Sequence, residues 1–267
     1  MGSLTWCFEA LERLAKAAWR WLVDGWQVVY FGAMILVLMF SPSSYSRDMR
    51  PVLARHIYRN TIPILLWFTV LFALVSLVLT RIVVTTAQSY GLSQYALQVV
   101  IRVLVLELIP LTAALFVALR CTLPDGAELL ELQRQGALTA LSQSGRDPVR
   151  YEVLPRVVAG IFSTVMLATL SGLVALVLAY LVVYGFTLAG IAGYTRLFGL
   201  VFSPGVVLIF VLKTLFFSLA VSLMPMASAL YGMADSSKRT SAELRALVRM
   251  FAVILLIEVA SLVGNYY

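Results

Sequence analysis

Charge is scarce in this chain of 267 residues: 12% are Asp, Glu, Lys or Arg, against 61% hydrophobic. A soluble globular domain carries about 25% charged residues. With a mean hydropathy of +0.95, the composition excludes a disordered chain and a solvated coiled coil. Cysteine is nearly absent, with only Cys7 and Cys121. Two cysteines build neither a disulfide framework nor a Cys-rich zinc site. The single histidine, His56, excludes an HExxH zinc motif and clustered-histidine metal centres. The three lysines are Lys16, Lys213 and Lys238, and none follows a glycine. There is thus no Walker A loop, and no G-x-S-x-G nucleophile elbow occurs either. The expectation is a chain with no catalytic residue, metal or cofactor of its own. ATP-driven work would place ATP and Mg on another chain.

Long apolar runs fill the rest. Five are long enough to cross about 30 Å of hydrocarbon: residues 61–84, 97–119, 157–184, 206–231 and 247–264. Pro63 stands in the opening turn of the first run, where proline is tolerated. Before them, residues 4–22 have an amphipathic pattern. Leu4, Phe8, Leu11, Ala15, Ala18 and Leu22 form one stripe, with Glu9, Arg13, Lys16 and Arg20 opposite. Trp6, Trp19, Trp21 and Trp26 suit the headgroup region. Acidic residues and the length of the polar face argue against a cleavable signal peptide. After Gly25, the apolar stretch 28–40 is short for a span. It reads as re-entrant or interfacial, the alternative being a short true span. The predicted fold is all-α and polytopic: interfacial and elbow helices over 1–40, a linker over 41–60, and five transmembrane helices over 61–267. The longest hydrophilic piece is 120–156.

Basic residues set the orientation. If five spans alternate, Arg81, Arg102 and Arg196 fall on one side and Lys213 lies within a run. The remaining sixteen of the twenty basic residues fall on the other side. This asymmetry predicts a cytoplasmic N-terminus and places Asn265, Tyr266 and Tyr267 outside the cytoplasm. It also accounts for the net charge of +7 without nucleic acid as a partner.

Arg102, Glu107, Lys213 and Glu258 sit inside the apolar runs. A charge at the centre of a lone helix costs about 2.5–3.5 kcal/mol, so such residues face a cavity or one another. Counting from the outer ends at about 1.5 Å per residue puts Glu107 about 15 Å deep, Lys213 about 10 Å and Glu258 about 9 Å. The matching depths predict an ion pair between Lys213 and Glu258, and Arg102 is expected to snorkel toward the interface. Such a pair can equally be a lock between helices. Pro110, one turn after Glu107, frees a backbone carbonyl and can kink its span, as can Pro225 in the fourth.

Within 120–156, residues 125–141 read as a short amphipathic helix, with Asp125 as N-cap and Glu128 as capping-box partner. Gly145, Asp147-Pro148 and Pro155 punctuate the return to the third span. A mixed-charge helix between two spans is either a docking element or an idle surface helix.

The string Glu107-Leu108-Ile109-Pro110, leading through an alanine-rich stretch to Arg120, resembles the second-span signature of the MlaE/YrbE family. Ala127-Glu128, Asp147-Pro148-Val149-Arg150 and Leu154-Pro155-Arg156, running on to Gly160, are similar to that family's pattern at the same spacing. Lys213 and Glu258 fall where it has a lysine and an acidic residue. The resemblance covers roughly residues 45–264. It implies the permease subunit of a lipid ABC transporter in a bacterial inner membrane. Its partners would be a second permease copy, identical or paralogous, a cytoplasmic ABC ATPase and a periplasmic MCE-domain hexamer. The cargo would be phospholipid or a related lipid, moved between inner and outer membranes. Glu107, Pro110, Lys213, Glu258 and Arg102 would line the lipid cavity. Asp125, Glu128, Glu131, Arg134, Asp147, Arg150 and Arg156 would couple to the ATPase.

The chain departs from the pattern at Leu106, where the family has arginine, and at Ile109, where it has glycine. It departs again at Gly136-Ala137, in place of Glu-Gln, and at Cys121-Thr122, in place of Ala-Gly. Two other readings stand beside this one: an ion- or proton-coupled carrier using Glu107, Lys213 and Glu258, and a non-transporting membrane scaffold. A carrier would be supported by inverted repeats, and none is found.

Overall fold

The computed structural model describes residues 25–47, 49–231 and 239–266. The amphipathic helix expected over 4–22 lies outside the described residues, as does most of the Lys238 connection. The described residues form helices and turns and no strand. In chain order the helices are α1 (Gly25–Phe40), α2 (Met49–Ser89), α3 (Tyr95–Arg134), α4 (Ala137–Gln143), α5 (Val149–Tyr184), α6 (Ile191–Val201), α7 (Pro204–Tyr231) and α8 (Arg239–Tyr266). Five of them, α2, α3, α5, α7 and α8, are long and apolar enough to cross a membrane. Each contains one of the five apolar runs.

Packing order follows from which faces are apolar and small. α2 lies along α5, α5 against α7, and α7 against α8, with α3 set against both α5 and α7. Ile101, Ile109, Ala113, Ala114, Val117, Leu167, Ala168, Phe217 and Val221 are buried at this centre. Close approach there depends on Gly160. A Cβ at that position would lie 2.5 Å from Ser222 Oγ and 2.9 Å from Thr122 Cγ2. The outer faces of α2 and α8 stay apolar and exposed, as at Leu66, Trp67, Leu74, Leu255 and Leu256. Such faces suit lipid contact.

α1 buries a single stripe. Phe31 and Ile35, one turn apart, are fully buried in a second cluster with Leu129, Val153, Val157, Leu223 and Met226. Trp26, Tyr30 and Val37 face outward. At under about 20 residues it falls short of a full span.

Three prolines share one local solution. α3 changes to π-helical hydrogen bonding over Ile101–Leu108 and Ala118–Thr122, and α5 opens with a π turn over Val149–Val153. Each ends on an i→i+5 bond: Ile109 N–H to Leu104 C=O, Leu123 N–H to Ala118 C=O, and Leu154 N–H to Val149 C=O. The next residue in each case is a proline, Pro110, Pro124 or Pro155. Proline lacks the N–H and its ring crowds the preceding turn. A wider π turn just before it lets the helix continue.

Several local expectations change as a result. The helix of 125–141 is not separate: α3 runs unbroken to Arg134 and then stops. Gly136, at φ +73°, makes the left-handed turn into α4, a conformation that favours glycine. Asp125 is no N-cap, because the segment Leu123–Arg134 begins at Thr122 with no side-chain cap. Pro63 lies inside α2, which starts at Met49 and not near residue 61. The connection 185–205, between the third and fourth apolar runs, carries α6. Tyr194 Oη there donates to Leu176 C=O at 2.9 Å, and its ring meets Tyr180 and Tyr184 edge-on. Burial, reinforced by Tyr184, pushes the Tyr194 hydroxyl up to about 12, so it remains a donor.

Candidate functional site: a buried triad and a charged latch

Lys213, on α7, is buried with its side chain 1% exposed. Its ammonium contacts Glu258 Oε2 on α8 at 2.7 Å and pairs with Glu107 Oε2 on α3. The pair expected from depth is formed, and Glu107 makes it a triad. The carboxylates are 12% and 13% exposed, so one cation serves two anions in a largely dry place. Lys213 Nζ also donates to Leu106 C=O at 3.3 Å. That carbonyl lies four residues before Pro110, which has no N–H to offer it. The proline creates the acceptor that the lysine fills.

Glu107, alone of the triad, also lines a small pocket with Arg102, Leu106, Val206 and Asn265. Asn265 Nδ2 donates to Glu107 Oε1 at 3.3 Å. Arg102 and Glu107 are five residues apart. On an α-helix they would point about 140° apart at about 100° per residue. The π segment Ile101–Leu108 pairs residues five apart along its hydrogen-bond line, and both residues line the pocket. Arg102 therefore faces this pocket instead of simply snorkelling. Asn265 and the Leu106 carbonyl were not among the candidates. Asn265 sits in a terminal polar cluster, and a backbone group leaves no side-chain signal.

At the opposite, arginine-rich end, a second charged group joins three helices. Asn60 Nδ2 donates to Asp125 Oδ2 at 2.6 Å. Arg59 reaches Asp125 at 3.3 Å and Glu128 at 3.4 Å. Arg156, only 2% exposed, pairs with Glu128 at 3.2 Å and with Glu152 at 2.5 Å. This latch ties the start of α2, the α3 extension and the start of α5. Gly126 seats the extension on α7, where a Cβ would come within 3.2 Å of Pro225 Cβ and carbonyl oxygen. Of the residues expected at an ATPase contact, Asp125, Glu128 and Arg156 are engaged within the chain. Glu131, Arg134 and Asp147 are exposed and Arg150 is half-buried. Asp147 Oδ1 accepts from Val149 N–H at 3.0 Å, and Glu131 accepts from Gln135 at 3.0 Å. Among the described residues no cluster of His, Cys, Asp and Glu could hold a metal ion.

A comparison with curated proteins finds no match. The family model described as Permease MlaE matches residues 53–263, which include the triad, the latch and all or most of each of the five long apolar helices. The chain is a membrane-embedded member of the MlaE permease family.

Proposed function

We propose that the chain is the permease subunit of an ABC transporter that moves phospholipid or a related lipid between inner and outer membranes. The observation that carries this reading is the buried Glu107–Lys213–Glu258 triad within an MlaE-family permease. Ionisable groups inside the apolar body of a membrane protein mark a cargo pathway by default, and Arg102 and Asn265 gather beside Glu107 at the same place. Two copies would form the membrane core. The arginine-rich end would face the cytoplasm, where basic residues also meet anionic headgroups. A separate ATPase would dock on the α3 extension and α4, contacting Glu131, Arg134, Asp147 and Arg150, while the latch transmits its movement to α2 and α5. An MCE-domain hexamer would receive lipid at the other end.

The test is lipid-stimulated ATPase activity of the reconstituted complex. Glu107→Gln is expected to lower stimulation by about tenfold or more, on the order of one charge-assisted hydrogen bond. Arg196→Gln, an exposed change on α6, is expected to leave it unchanged. Equal effects would remove the triad from the pathway.

A further inference from the structure

Two arginines stand where apolar runs meet the arginine-rich end. Arg59 comes two residues before the run 61–84 on α2, and Arg120 directly follows the run 97–119 on α3. Cys121 Sγ donates to the Asn60 carbonyl at 3.4 Å, so the residues just before each, Arg120 and Arg59, share one height. Both are exposed. Arg59 reaches Asp125 and Glu128 through Nη2 alone, which leaves Nε and Nη1 for another acceptor. Arg120 makes no ion pair among the described residues, and neither does Arg55, exposed one turn before Arg59. The exposed carboxylate within reach, Glu128, is already shared by Arg59 and Arg156.

Further into the spans the same seam turns apolar. Pro63 and Trp67 follow Arg59 at one-turn intervals on α2, and both are exposed, Trp67 by 75%. Phe68, next to Trp67, meets the Phe116 ring of α3 with centroids 5.1 Å apart. Leu119, next to Arg120, is exposed as well. Guanidiniums at the edge of the apolar runs, with an indole and a leucine deeper in, follow the order of a phospholipid from phosphate to acyl chain. We propose that Arg59 and Arg120, supported by Arg55, form a docking site for the headgroup of an anionic phospholipid whose acyl chain lies along Trp67 and Leu119. The site lies at the opposite end of the spans from the triad. It holds a lipid as a fixed component and not as cargo. Because Arg59 also belongs to the latch, the bound headgroup ties the membrane surface to the junction of α2, α3 and α5.

Other occupants fit this surface less well. A soluble anion uses the arginines but gains nothing from Trp67 and Leu119. A zwitterionic headgroup brings an ammonium that the guanidiniums repel. An anionic phospholipid satisfies both parts: arginine binds phosphate oxygens through paired N–H groups, and each basic residue at the membrane surface raises affinity for an anionic lipid about fivefold.

The experiment mixes the purified full chain in detergent with equal amounts of phosphatidylglycerol and phosphatidylcholine and reads the retained lipid by native mass spectrometry. The wild type should retain phosphatidylglycerol about tenfold or more over phosphatidylcholine. Arg120→Gln should lower that preference about fivefold, and Arg120→Lys should keep most of it. Arg146→Gln, which removes an exposed charge from the same end, should leave it unchanged. Free glycerol phosphate at the same concentration should not displace the lipid. Equal retention of the two lipids by the wild type overturns the site, and so does a preference that survives Arg120→Gln or falls as far in Arg146→Gln. Displacement by glycerol phosphate makes this a site for soluble anions and overturns the lipid assignment. None of these outcomes touches the transport reading, which is tested by lipid-stimulated ATPase activity.

Discussion

Lys213 is the residue on which most of the site depends. Its ammonium is nearly inaccessible, lies between two carboxylates and fills the carbonyl that Pro110 leaves open. Removing one partner from a buried ion group strands the rest, at a cost of about 3–5 kcal/mol. Lys213→Met is therefore expected to lower the thermal midpoint of the purified protein sharply. Replacing all three members with apolar residues of similar volume is often neutral. The triple variant Lys213→Met, Glu107→Leu, Glu258→Leu should regain most of that stability while losing lipid stimulation. A triple variant that keeps stimulation would make the triad a helix lock only. The Lys213–Glu258 contact is legible in the sequence because depth on consecutive spans is a matter of counting. Glu107 joining it is not, because counting gives height and not face. The face is set by the π segment before Pro110, and a proline alone does not announce a π turn, since Pro63 and Pro225 lie within helices that keep α-helical bonding.

At the scale of elements, prolines are better guides to helix shape than to helix ends. Pro110, Pro124 and Pro155 each follow a π turn, and each helix continues past its proline. The run Leu123-Pro124-Asp125-Gly126 has the composition of a helix start, and Asp125 reads naturally as its cap. In the folded chain Asp125 is instead buried against Asn60 and Arg59. Local propensity is overridden there because the preceding π turn removes the break that a cap would serve. Glycines at crossings give a further expectation. Gly160→Ala drives a methyl into Ser222 and Thr122, an overpacking that costs about 1–3 kcal/mol. Its thermal midpoint should fall, and adding Ser222→Ala should restore only part, since Thr122 still obstructs. An unchanged midpoint for the single variant would contradict the packing of α3, α5 and α7 described above.

For the molecule as a whole, the five spans could be read from run length alone, because about 20 apolar residues have few other uses. What run length conceals is how far helices extend past the apolar part. α2 spans Met49–Ser89, which at 1.5 Å per residue is about 60 Å, about twice the hydrocarbon thickness. Its Arg-rich start and the α3 extension project together at one end, joined by the latch. A charged segment such as 41–60 reads as a linker because hydropathy reports solvent preference and not backbone conformation. The exposed apolar faces of α2 and α8 require lipid or another chain to cover them.

The central claim is that this permease works with a separate ATPase on a lipid cargo. The most direct test is mass spectrometry of the assembly isolated in mild detergent from its native membrane, with protein and lipid identified together. The expected result is this chain with a nucleotide-binding subunit and bound phospholipid. A chain that purifies free of both, and does not bind a coexpressed ATPase under conditions that preserve complexes, would contradict the account.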